Sequence, residues 1–149
     1  MNFKDLTLIE PLLKALQLQK YTQPTPVQQK AIPIILQQKD LLACAQTGTG
    51  KTAAFSLPIL QLIYQRKQAD KSKGIKALIL TPTRELAIQI EESVNDYGAF
   101  TGLKHLAVYG GVSQFHQVKK LREGVDILIA TPGRLIYIII QRQIYLKQK

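Results

Sequence analysis

The run Ala45-Gln46-Thr47-Gly48-Thr49-Gly50-Lys51-Thr52 is where this sequence can do chemistry. It fits the phosphate-binding P-loop pattern, with Ala45 in the place of the first glycine. Small residues let the backbone turn tightly enough for successive amide N–H groups to point inward. A helix opening at Lys51 adds its partial positive charge to the same spot. Such a cradle suits a polyphosphate: Lys51 reaches the terminal phosphates as a point charge, and the Thr52 hydroxyl is placed to ligate Mg²⁺. Which nucleotide binds and which reaction follows stay open, because kinases, GTPases and motors share the loop. Other reactive residue types are poorly placed. His105 falls on a predicted strand and His116 on a predicted helix, with no cluster at metal-ligand spacing around them. Cys44, the single cysteine, reads as a buried strand residue and rules out an internal disulfide.

A loop of this kind needs a strand before it and a helix after it, and the surrounding pattern supplies both. Short runs rich in Leu, Ile and Val predict strands at Asp40–Cys44, Lys76–Thr81, His105–Tyr109 and Val125–Ala130. Helical spacing between them predicts helices over about Lys51–Gln65, Arg84–Tyr97, Ser113–Arg122 and Pro132–Gln141, with two more ahead of the first strand at Leu8–Leu18 and Pro26–Gln38. Strands alternating with helices predict an α/β fold, a parallel sheet with helices on its faces. Local chemistry supports the boundaries. Thr83 and Thr131 are suited to cap helix N-termini, Pro132 to a first helical position and Gly124 to a helix exit. Thr7 with Glu10 and Thr25 with Gln28 each read as a capping box. Pro33 and Pro58 are expected to kink or break their helices. The solvated stretch Arg66–Gly74 reads as a loop within one domain.

Composition narrows the class. The chain has 149 residues, 46% hydrophobic and 20% charged, which fits one globular domain and excludes disordered or fibrous classes. The longest bulky apolar run, Leu135–Ile140, is too short to span a bilayer, and Asp5 and Glu10 interrupt any secretory signal. The chain therefore reads as cytoplasmic, with no membrane partner, and as a monomer. Its net charge is +10, and residues 101–149 hold eight basic side chains against two acidic ones. A basic excess suits a polyanion such as nucleic acid, and equally a solvated surface. The turn Lys119, Lys120, Arg122 reads first as such a solvated face.

Four further segments fall in order along the chain, and with the P-loop they resemble the DEAD-box ATP-dependent RNA helicases, most closely the bacterial members. Upstream stands Tyr21-Thr22-Gln23-Pro24-Thr25-Pro26-Val27-Gln28, similar to the family's Q motif, with Phe3 at the distance of its isolated aromatic. Downstream follow Pro82-Thr83-Arg84-Glu85-Leu86-Ala87, Gly110-Gly111 and Thr131-Pro132-Gly133-Arg134. The resemblance implies a RecA-like P-loop domain that binds ATP. Gln28 would pair with the adenine edge, since an amide offers both a donor and an acceptor, and Tyr21 would stack on the purine with Phe3 nearby. It further implies that Pro82, Thr83, Arg84, Gly110, Gly111, Thr131, Pro132, Gly133 and Arg134 hold an RNA backbone without reading its sequence.

The motifs cease at Arg134, and no Asp-Glu-Ala-Asp segment follows. The resemblance thus covers an incomplete first domain: residues 1–38 as a helical lead-in and 39–149 as a P-loop core lacking its last part and the second RecA-like domain. Asp126, the one acidic residue after Glu123, stands on a predicted strand and is a poor substitute for the metal-holding acid. The chain alone is expected to bind ATP and RNA without unwinding. Two rival readings remain: a non-catalytic truncated product or gene remnant, and an unrelated nucleotide kinase. Smaller departures are Lys20, where the family usually has glycine, and Tyr137, where an acidic residue is usual.

Overall fold

The computed structural model describes residues 2–46, 48–69 and 74–140. Thr47 and the end of the predicted Arg66–Gly74 loop up to residue 73 lie outside them, as does the tail from 141. The described chain divides into two compact units, Met1–Lys71 with Ser93–Gly102, and Ser72–Glu92 with Leu103–Lys149.

The first unit is helical. A short 3-10 turn, Phe3–Leu6, leads into α1 (Glu10–Leu18), α2 (Pro26–Leu36) and α3 (Lys51–Ala69), and it ends with the last turn of α4 (Arg84–Tyr97). Apolar side chains recur at helical spacing, so Leu12 and Leu16 of α1, Ile32 of α2 and Leu57 and Leu60 of α3 are almost fully buried. Each such burial contributes roughly 1.5–3 kcal/mol. The predicted Thr25/Gln28 capping box is formed: the Gln28 amide N–H donates to Thr25 Oγ1, and Gln28 Oε1 accepts from the Thr25 amide at 3.0 Å.

Four expectations are corrected here. Thr7 and Glu10 form no box, because Thr7 sits at φ 61 as the cap of the 3-10 turn and Ile9 is the N-cap of α1, with Glu10 its first residue; the box belongs to Asn2 and Asp5. Pro33 and Pro58 do not break their helices: they lie inside α2 and α3, which continue past them. Pro58 is fully buried within α3, and packing there outweighs the lost backbone bond. Helix α3 also runs to Ala69, so residues 66–69 are helical rather than looped. Finally, Asp40–Cys44 forms no strand. Among the described residues nothing pairs with it; Leu42 is 93% exposed, and Cys44 is exposed rather than buried. An extended segment becomes a strand only when a neighbour satisfies its N–H and C=O groups.

The second unit carries a parallel three-stranded sheet in the order β1 (Ala77–Leu80), β3 (Ile127–Ala130), β2 (His105–Val108). Ala77 pairs with Ile127, and Ile127 in turn with His105, so the three strands end level at Leu80, Ala130 and Val108. The central strand, Ile-Leu-Ile-Ala, is buried throughout, as a strand covered on both faces must be. Edge strand β1 leaves Leu78 and Leu80 exposed. Val108, Leu128 and Ala130 pack with Leu135 and Ile138 of α6 (Pro132–Ile140) in one core cluster. Between β2 and β3 lies α5 (Phe115–Glu123), closed by Gly124 at φ 102, as its predicted exit role requires.

Candidate nucleotide and nucleic-acid sites

The phosphate cradle belongs to the first unit. Gly48 and Gly50 hold φ of 84 and 85, a left-handed region that L side chains rarely adopt. Lys51 opens α3 and its Nζ donates back to the Ala45 carbonyl at 2.6 Å, joining the two ends of the loop. The Thr49 hydroxyl donates to the Gln46 carbonyl at 2.6 Å. A second tether comes from α2, where Gln28 Nε2 donates to the Gly50 carbonyl at 3.1 Å. A Cβ on Gly50 would collide with that same Nε2, so the glycine is required twice over, by its φ and by the amide beside it. Gln28 is 6% exposed; one amide N–H and one Oε1 lone pair remain after its bonds to Gly50 and Thr25. The donor set fits a polyphosphate: adjacent loop amides, a helix N-terminus and a lysine.

The two aromatic candidates come together within this unit. Phe3, buried, and Tyr21, half exposed, line a cavity of about 410 Å³ with Leu13, Leu16 and Lys20, and Gln28 does not line it. Tyr21 packs its ring 6.3 Å from Tyr97, whose phenol is pushed well above its ordinary range by burial and by the neighbouring Tyr21. Lys20, where the family usually has glycine, sits at φ 62, a conformation glycine adopts without cost.

The other set belongs to the second unit and clusters beyond the level ends of the strands. Thr83 caps α4, its Oγ1 accepting from the Leu86 amide at 3.2 Å. Arg84 lies with its guanidinium 5.6 Å above the Tyr109 ring, and a Cβ on Gly111, which holds φ 83, would come within 3.0 Å of Arg84 Nη1. Pro132 takes the first position of α6, and the carbonyl of Thr131 accepts from the Leu135 amide. Gly110 and Gly133 leave open space where a Cβ would stand. Arg134 faces protein acceptors: Nη2 donates to the Val112 carbonyl at 2.9 Å and Nη1 to Gln117 Oε1 at 3.1 Å.

Two residues of consequence were not singled out in the sequence. Gln61, buried on α3, accepts from the Ile9 amide at 2.8 Å and donates to the Thr7 carbonyl at 3.0 Å, fixing the lead-in to the loop-bearing helix. Gln117, buried on α5, donates to the Tyr109 carbonyl at 3.2 Å while receiving Arg134. The available signal was a glutamine in line with buried helix positions, and nothing in the spacing reveals a partner 54 residues away. Asp126 is 5% exposed and its carboxylate accepts from the Lys104 amide at 2.9 Å, tying the residue before β3 to the residue before β2. Among the described residues no group of three or more His, Cys, Asp or Glu side chains is placed to hold a metal, and no helix is long and apolar enough to cross a membrane.

Comparisons with known proteins show the family and the fold. The DEAD/DEAH box helicase family model matches residues 25–149. An ATP-dependent rRNA helicase of Lodderomyces elongisporus is 47% identical over 91% of this chain, which spans 26% of that protein. A probable ATP-dependent RNA helicase of Dictyostelium discoideum is 41% identical over 99% of this chain and 22% of its own length. Among solved structures, a DEAD box protein from the hyperthermophile Methanococcus jannaschii superposes with a TM-score of 0.88 at 37% identity, over 98% of this chain and 39% of its own. The chain thus spans about a quarter of the length of these sequence relatives. The nucleotide-kinase reading is removed, and the fold is that of the RecA-like helicase domains. The chain belongs to the DEAD/DEAH box helicase family.

Proposed function

We propose that these residues are the leading part of the first RecA-like domain of an ATP-dependent RNA helicase, with 1–38 as its lead-in and 39–149 as the P-loop core. The observation that carries the reading is the Gln28–Gly50 bond. It ties an amide with a donor and an acceptor still to give to the carbonyl beside the phosphate-binding lysine. Adenine offers the complementary donor and acceptor, and guanine presents the wrong pattern.

Bound ATP supplies the phosphoanhydride bond whose cleavage drives the helicase cycle. Lys51 exchanges the Ala45 carbonyl for phosphate oxygens, the amides of 48–52 line the cradle, and the Thr52 hydroxyl is this chain's ligand for Mg²⁺. Tyr21 stacks on the purine, with Phe3 supporting it. Pro82, Thr83, Arg84, Gly110, Gly111, Thr131, Pro132 and Gly133 hold the RNA backbone, while Arg134 holds the Val112 and Gln117 acceptors that shape the glycine turn. The intact helicase then closes its two RecA-like domains on a single strand and separates a short duplex. Asp126 is buried and accepts from the Lys104 amide, so it is not assigned as the acid that holds Mg²⁺.

Calorimetric titration of ATP, ADP and GTP with Mg²⁺ tests the reading. ATP and ADP should bind over GTP, with binding weakened roughly 10- to 150-fold in Lys51→Ala and the adenine preference lost in Gln28→Ala. Equal affinity for ATP and GTP in the unaltered chain would refute it. RNA capture with nucleotide binding absent would favour the non-catalytic RNA-binding product instead.

A further inference from the structure

The basic turn of α5 has a feature that a merely solvated face lacks. Phe115 opens the helix 66% exposed, and its ring stands edge-on to His116 at 5.5 Å. Val118, Lys119 and Arg122 follow at three, four and seven residues, which places all four on one side of the helix. With Ser113 and Glu123 they line a cavity of about 590 Å³, within the range of small-ligand sites. Its place is fixed by the backbone-holding set. Arg134 grips the Val112 carbonyl and Gln117 of α5, and Gln117 grips the Tyr109 carbonyl, so the groove begins where the Gly110-Gly111 turn ends.

We infer that this groove is a nucleotide-base subsite, in which Phe115 stacks one base of a bound single strand while Lys119 and Arg122 face its phosphates. An exposed aromatic face flanked by cations is the arrangement that holds single-stranded nucleic acid without regard to sequence. The surplus of basic residues in 101–149 supplies the matching field. The Glu123 carboxylate at the same groove repels an acidic peptide. The inference rests on the RNA-backbone reading above and extends it from phosphates to a base.

The test uses the whole chain, fluorescein-labelled U10 RNA and an abasic ten-unit strand of the same backbone, followed by anisotropy. Phe115→Ala should weaken U10 by roughly 5- to 100-fold and leave the abasic strand unchanged, with Phe115→Tyr restoring U10. Arg84→Ala should weaken both strands alike. A 5-iodouridine strand irradiated in the complex should crosslink within 113–123. Because Phe115 is exposed, its removal should leave the thermal midpoint in place. Unchanged U10 binding by Phe115→Ala, or a crosslink elsewhere, overturns the base subsite and leaves backbone binding standing. Failure of the unaltered chain to bind either strand overturns both. Tighter binding of labelled deca-glutamate than of U10, abolished in Phe115→Ala, assigns the groove to an acidic peptide and overturns the base subsite.

Discussion

The two units hold their working loops by different means. In the second, the loops after β1, β2 and β3 leave strands that end level in a paired sheet, so their positions follow from ladder register. In the first, the phosphate loop follows residues 40–44, which pair with nothing described, and its support comes from α3 on one side and Gln28 on the other. A sheet fixes several loops with one set of backbone bonds. A loop hung between helices depends on single side chains, and single substitutions should therefore cost more there.

The largest expected effect is at Lys51. Lys51→Ala removes the charge for phosphate and the Ala45 contact, and should weaken ATP by about 1.5–3 kcal/mol, roughly 10- to 150-fold by calorimetry, with little change in RNA binding. Gly50→Ala should approach the same loss, since its Cβ meets Gln28 and its φ is unfavourable for alanine. Equal ATP affinity in that variant would show that the Gln28 tether does not shape the cradle. In the sheet unit, Arg134→Ala leaves Gln117 Oε1 and the Val112 carbonyl without their donor. A loss of about 1–3 kcal/mol in stability and weaker RNA binding are expected, by thermal denaturation and anisotropy, with ATP affinity unchanged. The smallest effect is a gain: Lys20→Gly relieves a φ of 62 and should raise stability by about 1 kcal/mol, near 2–4 °C in midpoint.

The same division explains what the sequence revealed. Helix α4 occurs over Arg84–Tyr97 as the periodicity predicts, and β1, β2 and β3 lie within their expected ranges, because helical spacing and apolar runs report burial directly. The Asp40–Cys44 strand failed for the complementary reason: its apolar pattern reports readiness to pair, and pairing needs a neighbour. At the sites, the glycines of the loop and the Thr25/Gln28 box were legible because each is a local backbone requirement. The bridges of Gln61 and Gln117 were not, since each joins segments distant in sequence through a residue type with many ordinary roles. Arg134 was found by its motif, but its grip on protein acceptors was visible only in three dimensions.

Amide hydrogen exchange of the whole chain, with and without ADP and Mg²⁺, tests the central claim most directly. The account predicts slow exchange at 77–80, 105–108 and 127–130 in both conditions. It predicts fast exchange at 40–46, and at 48–52 protection that appears only with ADP. Unchanged exchange at 48–52 on saturation with ADP, or fast exchange throughout the three strands, would contradict it.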